Sequence, residues 1–140
     1  MEWRGTPDVL NEMGRGTFPD LLGIEFLGGE RGSVRARLPL RRDHLAPNGY
    51  LHAGAVVGFA DSLCGYGTML SLPDGAIGFT TIELKTSFLR TATEGVITGE
   101  SRLVHGGRTT QIWDASVVDE RDRPMALFRC TQLLLYPRDA

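Results

Sequence analysis

The chain is poor in cysteine, in runs of like charge and in long uninterrupted apolar stretches. Only Cys64 and Cys130 occur among 140 residues, each in apolar surroundings without a Cys or His at metal-ligand spacing. That excludes a disulfide framework and a zinc site, and it suits a reducing, cytoplasmic setting. Fifteen Lys and Arg against seventeen Asp and Glu leave a net charge of −2, with the basic residues scattered. A nucleic-acid backbone is therefore not an expected partner. Met1-Glu2-Trp3-Arg4-Gly5 lacks the apolar core of a secretory leader, so no export is expected. The one long, weakly charged segment, from His44 to Pro73, carries Asp61 near its middle and several glycines. A charge at a bilayer centre costs at least about 2.5 kcal/mol, which marks the segment as buried in protein and not in a membrane.

What is present is ordinary globular material. Hydrophobic residues make up 41% and charged residues 23%, which excludes disorder as the main state. The length suits one domain, 1–140, with a helical extension over 1–20. Thr6, Pro7 and Asp8 ahead of Val9, Leu10 and Met13 predict a short amphipathic helix. Leu22 to Leu27 and Ser33 to Leu40 read as strands joined by a glycine-rich turn, Gly28 to Gly32. His52 to Leu70 is apolar or small on nearly every side, the pattern of a helix surrounded by protein.

After Pro73-Asp74-Gly75 the period changes to two. Phe79 to Phe88, Val96 to Val104, Thr109 to Val118 and Met125 to Tyr136 predict four more strands with short connections. One apolar helix among six strands calls for an α+β arrangement, an antiparallel sheet wrapped around a central helix. A helix without a solvent face also suggests a second subunit, so at least a homodimer is expected.

Asp61 is the most informative residue. Gly54, Gly58 and Gly65 fall within about 60° of it on a helix wheel, so something approaches that face closely: a substrate, another chain, or packed sheet. The amides of His52, Ala53 and Gly54 at the helix start can hold a carbonyl oxygen as it gains charge. Asp61 is about 12 Å along the helix from Ala53, too far for one small carbonyl to touch both. A two-fold dimer can set the helix start of one subunit against Asp61 of the other, and a carboxylate facing oxyanion donors suits acyl transfer or hydrolysis.

His44-Leu45-Ala46-Pro47-Asn48-Gly49-Tyr50-Leu51-His52-Ala53-Gly54, with Asp61 eight residues after Ala53, resembles the helix-entry loop of the hotdog-fold acyl-CoA thioesterases. Within them it is similar to the PaaI-like and 4-hydroxybenzoyl-CoA thioesterase group. The likeness runs from about Leu22 to Tyr136, with Ala53 in place of the first Gly of a Gly-Gly pair and Ala46 in place of an Asn. Asn48 either takes over the role of that Asn or serves as a turn residue before Gly49.

The resemblance implies hydrolysis of an aromatic or medium-chain acyl-CoA to the free acid and coenzyme A. Asp61 would be nucleophile or general base, with His52 in the entry loop, Ala53 and Gly54 giving oxyanion amides, and Thr81 orienting water. It implies no cofactor beyond the coenzyme A of the substrate, no metal, and a homodimer or dimer of dimers. His105-Gly106-Gly107-Arg108-Thr109 is similar to the family's hairpin near the nucleotide of coenzyme A. That makes Gly107, Arg108 and Thr109, together with Arg90, the expected cofactor-end contacts. Phe59, Tyr66, Met69 and Tyr50 are candidates to line the acyl pocket or to serve as core. Two alternatives stand: a non-catalytic acyl-CoA binding module, and a hydratase or dehydratase of the same fold, for which His52 is the available histidine.

Overall fold

The computed structural model describes residues 2–139; Met1 and Ala140, the two ends of the expected domain, lie outside them. The elements run α1 (Pro7–Met13), α2 (Phe18–Leu22), β1 (Glu25–Glu30), β2 (Ser33–Pro39), α3 (Ala53–Leu70), β3 (Gly78–Phe88), β4 (Val96–Gly106), β5 (Thr110–Val118) and β6 (Pro124–Leu135). The six strands form one antiparallel sheet in the order β1-β2-β4-β5-β6-β3. This is the hotdog arrangement, with α3 packed against the sheet.

Helix and sheet meet at glycines. A Cβ on Gly67 of α3 would fall 2.5 Å from the Trp113 ring, and one on Gly99 of β4 would fall 2.4 Å from Leu63. Both positions therefore admit no side chain, and the core of Phe59, Leu63, Ile97, Trp113 and Val117 closes around that contact. The end of α3 is tied down by polar groups. Gln111 donates from Nε2 to the Ser71 carbonyl at 2.9 Å and accepts from the Trp113 indole at 2.8 Å. Cys64 and Cys130 are free and buried.

Two expectations are corrected. Leu22 does not open a strand: it closes α2, a turn of helix with Thr17 as N-cap, Pro19 in the first turn and left-handed Gly23 (φ 85°) as its stop. The first hairpin turns more tightly than its glycines suggest, because β1 continues through Gly28 and Gly29 around a bulge and only Arg31-Gly32 reverses the chain. Gly29 donates its amide to the Gly5 carbonyl at 2.8 Å. Of the approaches open beside Asp61, packing within the chain is the one seen: Gly58 meets Phe18 and Leu22 of α2, and Gly65 meets Phe79 of β3.

Candidate active site

Asp61 lies two turns into α3 and is half-buried. Among the described residues it is the only carboxylate lining a pocket of 340 Å³, whose walls are Tyr66 and Met69 of α3, Phe79 of β3, and Trp3, Met13 and Pro19 from the N-terminal segment. Burial raises its carboxyl above the usual 3.8. Thr81 Oγ1 is 3.3 Å from Asp61 Oδ1 and 2.6 Å from Gln132 Oε1. Thr81 is in reach because β3 lies beside β6, where Thr81 and Gln132 are register partners.

Tyr66 stacks on Phe26 with ring centres 3.8 Å apart and meets Trp3 edge-on at 5.0 Å. Burial, helped by the charge of Asp20, pushes its phenol up to about 12, so it stays neutral. Of the other acyl-pocket candidates, Met69 lines the Asp61 pocket, Phe59 is fully buried core, and Tyr50 is exposed elsewhere. The N-terminal wall went unseen in the sequence. Its signal was the apolar face of the first helix, Met13 included, with Trp3 ahead of it.

The helix start opens into a different pocket, 450 Å³ in volume, lined by Tyr50, Ala53, Val56, Phe88 and Arg90 among others. Asp61 does not line it, and Ala53 does not line the pocket of Asp61. His52 caps the helix, its Nδ1 accepting the Gly54 amide at 2.7 Å. Gly54 is thereby withdrawn as an oxyanion donor, while Ala53, the first residue of the helix, keeps its amide free of such a cap. His52 thus does not face Asp61 within the chain, as a hydratase would need.

Asn48 is exposed, and its Oδ1 accepts the Tyr50 amide at 3.2 Å, the local bond of a turn residue. His44, the other histidine of the loop, is buried and structural: Nδ1 accepts the Arg41 amide at 3.1 Å and Nε2 lies 2.6 Å from the Leu22 carbonyl.

The expected cofactor-end residues do not form one cluster. Gly107 shapes the β4–β5 hairpin by donating to the Thr110 carbonyl at 2.9 Å, and Thr109 accepts the Leu134 amide at 2.9 Å. The Arg108 carbonyl accepts from the Tyr136 hydroxyl, leaving an exposed guanidinium. In register Gly106 meets Gln111, Gln111 meets Gln132, and Gln132 meets Thr81, so this hairpin lies at the end of the sheet where β3 begins. Arg90 follows the far end of β3 and bonds the Pro124 carbonyl at 3.2 Å. Within one chain the two arginines are at opposite ends of the sheet and cannot hold the same phosphate.

No helix among the described residues is long and apolar enough to cross a membrane. The profile of the thioesterase superfamily matches residues 48–126, more than half of the chain. PA1618 of Pseudomonas aeruginosa is 32% identical, over 95% of this chain and 93% of its own. A crystal structure of a mutant of it, titled a thioesterase, superposes with a TM-score of 0.88, covering 98% of this chain and 100% of that one. The proofreading thioesterase EntH of Klebsiella pneumoniae is 32% identical over 88% of this chain and 90% of its own. The 1,4-dihydroxy-2-naphthoyl-CoA hydrolase of Escherichia coli K12 is 29% identical over 93% and 95%. A carboxylate-lined apolar pocket on this fold, a superfamily match across more than half the chain, and relatives above 30% identity along nearly its whole length agree: the chain belongs to the thioesterase superfamily and is a hotdog-fold thioester hydrolase.

Proposed function

We propose that the chain hydrolyses an acyl-CoA thioester to a carboxylic acid and free coenzyme A, with Asp61 as general base. The observation that carries this reading is Asp61 itself, a lone carboxylate on the wall of an otherwise largely apolar pocket. A base with a raised proton affinity is better matched to taking a proton from water near neutral pH. The aromatic walls, Tyr66, Phe79 and Trp3, suit an aromatic or medium-length acyl group.

Ala53 supplies the oxyanion amide from the opposite subunit of a homodimer. Two features support the dimer. The two halves of the chemistry open into separate pockets of one chain. The edge strand β3 also leaves Ile82, Leu84 and Phe88 exposed at 56%, 42% and 49%, next to unpaired backbone. Joining two β3 edges about a two-fold axis would set the start of β3 in one subunit beside its end in the other. That would bring Arg108 of one subunit towards Arg90 of the second, at the nucleotide end of coenzyme A.

Assay of a panel of aromatic and straight-chain acyl-CoA thioesters for thiol release tests the reading. Turnover of at least one class, lost in Asp61→Asn, is expected; no thiol release from any of them would overturn it. A single turnover in ¹⁸O water tests for a nucleophile, because label found in Asp61 would show a mixed anhydride opened at the Asp61 carbon, and trapping with hydroxylamine would capture an anhydride opened at the acyl carbon; a base gives neither.

A further inference from the structure

Thr81 stands between two acceptors, Gln132 Oε1 at 2.6 Å and Asp61 Oδ1 at 3.3 Å. A hydroxyl owns one proton and can donate it to one acceptor at a time. The shorter separation is that of an O–H···O bond, typically about 2.7 Å, and is short for an N–H donor. The longer one exceeds by far the roughly 2.5–2.7 Å of a hydroxyl bound to a carboxylate. The Thr81 proton therefore points at Gln132, and Asp61 faces the lone pairs of the hydroxyl.

Gln132 is fully buried on β6, in register with Thr81 on one side and Gln111 on the other. Its Nε2 meets no acceptor among the described residues. Turning the amide over would strand Oε1 in place of Nε2, so the distance to Thr81 decides the orientation. An apolar side chain of the same volume would avoid the cost of a half-satisfied amide. What the amide alone supplies is an acceptor for Thr81.

We propose that Gln132 is a positioning residue for the hydrolysis: by accepting the Thr81 proton it converts the Thr81 hydroxyl into a second acceptor beside Asp61. This rests on Asp61 as the base described above. Two acceptors 3.3 Å apart take the two protons of one water molecule, which leaves its lone pairs aimed away from both, toward the thioester carbonyl. Asp61 takes one proton as the new C–O bond forms. The C–S bond then breaks, and the departing thiolate recovers that proton.

Withholding the Thr81 proton also leaves Asp61 without that donor, so its carboxylate stays a stronger base. The titratable groups beside it are Cys64 on α3, whose thiol is raised in part by the charge of Asp61, and Tyr66, which lines the same pocket. The charged side chains of β3 nearest to Thr81, Glu83 and Lys85, are exposed. Among the described residues no Arg, Lys or His lies within ion-pair distance of Asp61.

Gln132→Met keeps the volume and removes the acceptor. The freed Thr81 hydroxyl should then donate to Asp61, lowering the acid-limb midpoint of kcat/KM by about one pH unit. kcat should fall about tenfold or more from the disordered water, with KM unchanged. Titration of the Asp61 carboxyl by ¹³C NMR reads the same shift without any turnover. A midpoint that stays or rises in Gln132→Met overturns the role of Gln132 while leaving Asp61 as base. Retained turnover in Asp61→Asn would instead remove the base, with the NMR shift still testing Gln132. Thr81→Ala gives an independent check should Gln132→Met not fold: the Asp61 midpoint should stay in place, because no donor has been lost, and a rise would overturn the proposal.

Discussion

Asp61 and Thr81 meet across the seam between α3 and β3, carboxylate oxygen to hydroxyl at 3.3 Å, with no cation within ion-pair distance of that carboxylate among the described residues. Removing the charge therefore strands no buried Arg or Lys, so the usual several-kcal/mol cost of breaking a buried ion pair does not arise. Asp61→Asn should fold and melt like the wild type while losing about 10²- to 10⁴-fold in turnover. Calorimetry and thiol release, run on the same sample, check the two halves. An early-melting variant with normal turnover per folded molecule would sink the assignment.

The pH dependence of activity and that of stability should run in opposite directions. With Asp61 as the proposed base, activity needs the ionised carboxylate, so kcat/KM should rise with pH through the raised value of Asp61 and then level off. For stability, the folded chain binds this proton more tightly than the unfolded chain does. The favourable contribution is full below 3.8 and is lost as pH climbs from there through the raised folded value. Asp61→Asn lacks this slope. Its melting temperature relative to wild type should therefore move in its own favour between acid and neutral pH, as scanning calorimetry at several pH values would show.

Ala53 allows the proposed oxyanion amide to be deleted without disturbing the helix. It is the first helical residue, where proline is tolerated, and His52 before it already has φ −67° and ψ 133°, the region proline demands of its neighbour. Ala53→Pro should keep the circular dichroism and melting temperature of the wild type and lose about 10²- to 10³-fold in kcat. Ala53→Ser, which keeps the amide, should not. Equal kcat in the proline and serine variants would remove Ala53 from the site.

Arg108→Ala should raise KM with little change in kcat, because a phosphate contact far from the reacting carbon stabilises ground and transition states alike. The same substitution should have no effect on a truncated thioester lacking the nucleotide. Steady-state kinetics on the two substrates decides.

Light scattering should report at least a dimer. Leu84→Asp, a charge placed on the exposed β3 edge, should weaken it. Activity should fall in step with dissociation, measured by dilution. A monomer with full activity at assay concentration would refute a site shared between subunits.

The helix around Asp61 was legible because α3 is apolar on every side, and the later strands because their period is two. Contacts set by register were not. Nothing in the spacing of Arg90 and Arg108 says that one ends β3 while the other lies beside the beginning of that strand; only the pairing of β4, β5, β6 and β3 does. Nothing in the sequence singled out Gln111 and Gln132, yet both are buried and carry hydrogen bonds at the end of α3 and at Thr81. Gly58 and Gly65 signalled a close approach correctly, but not that the visitors are Phe18, Leu22 and Phe79 of the same chain. Five-residue α2 was too short for its period to show, although its capping residues were all present.

The wall that Trp3, Met13 and Pro19 build over Asp61 comes from a part of the chain far in sequence from the proposed chemical groups. Trp3, Met13 and Pro19 lie before the superfamily match begins at residue 48, whereas Asp61 and Thr81, and the Tyr66 and Phe79 walls of the same pocket, lie inside it. Kinship across 48–126 can thus be faithful in reaction type and silent about one wall of the pocket. Grafting a different first twenty residues onto the same helix and sheet becomes a way to retune which thioesters are accepted, with the hydrolytic groups left in place.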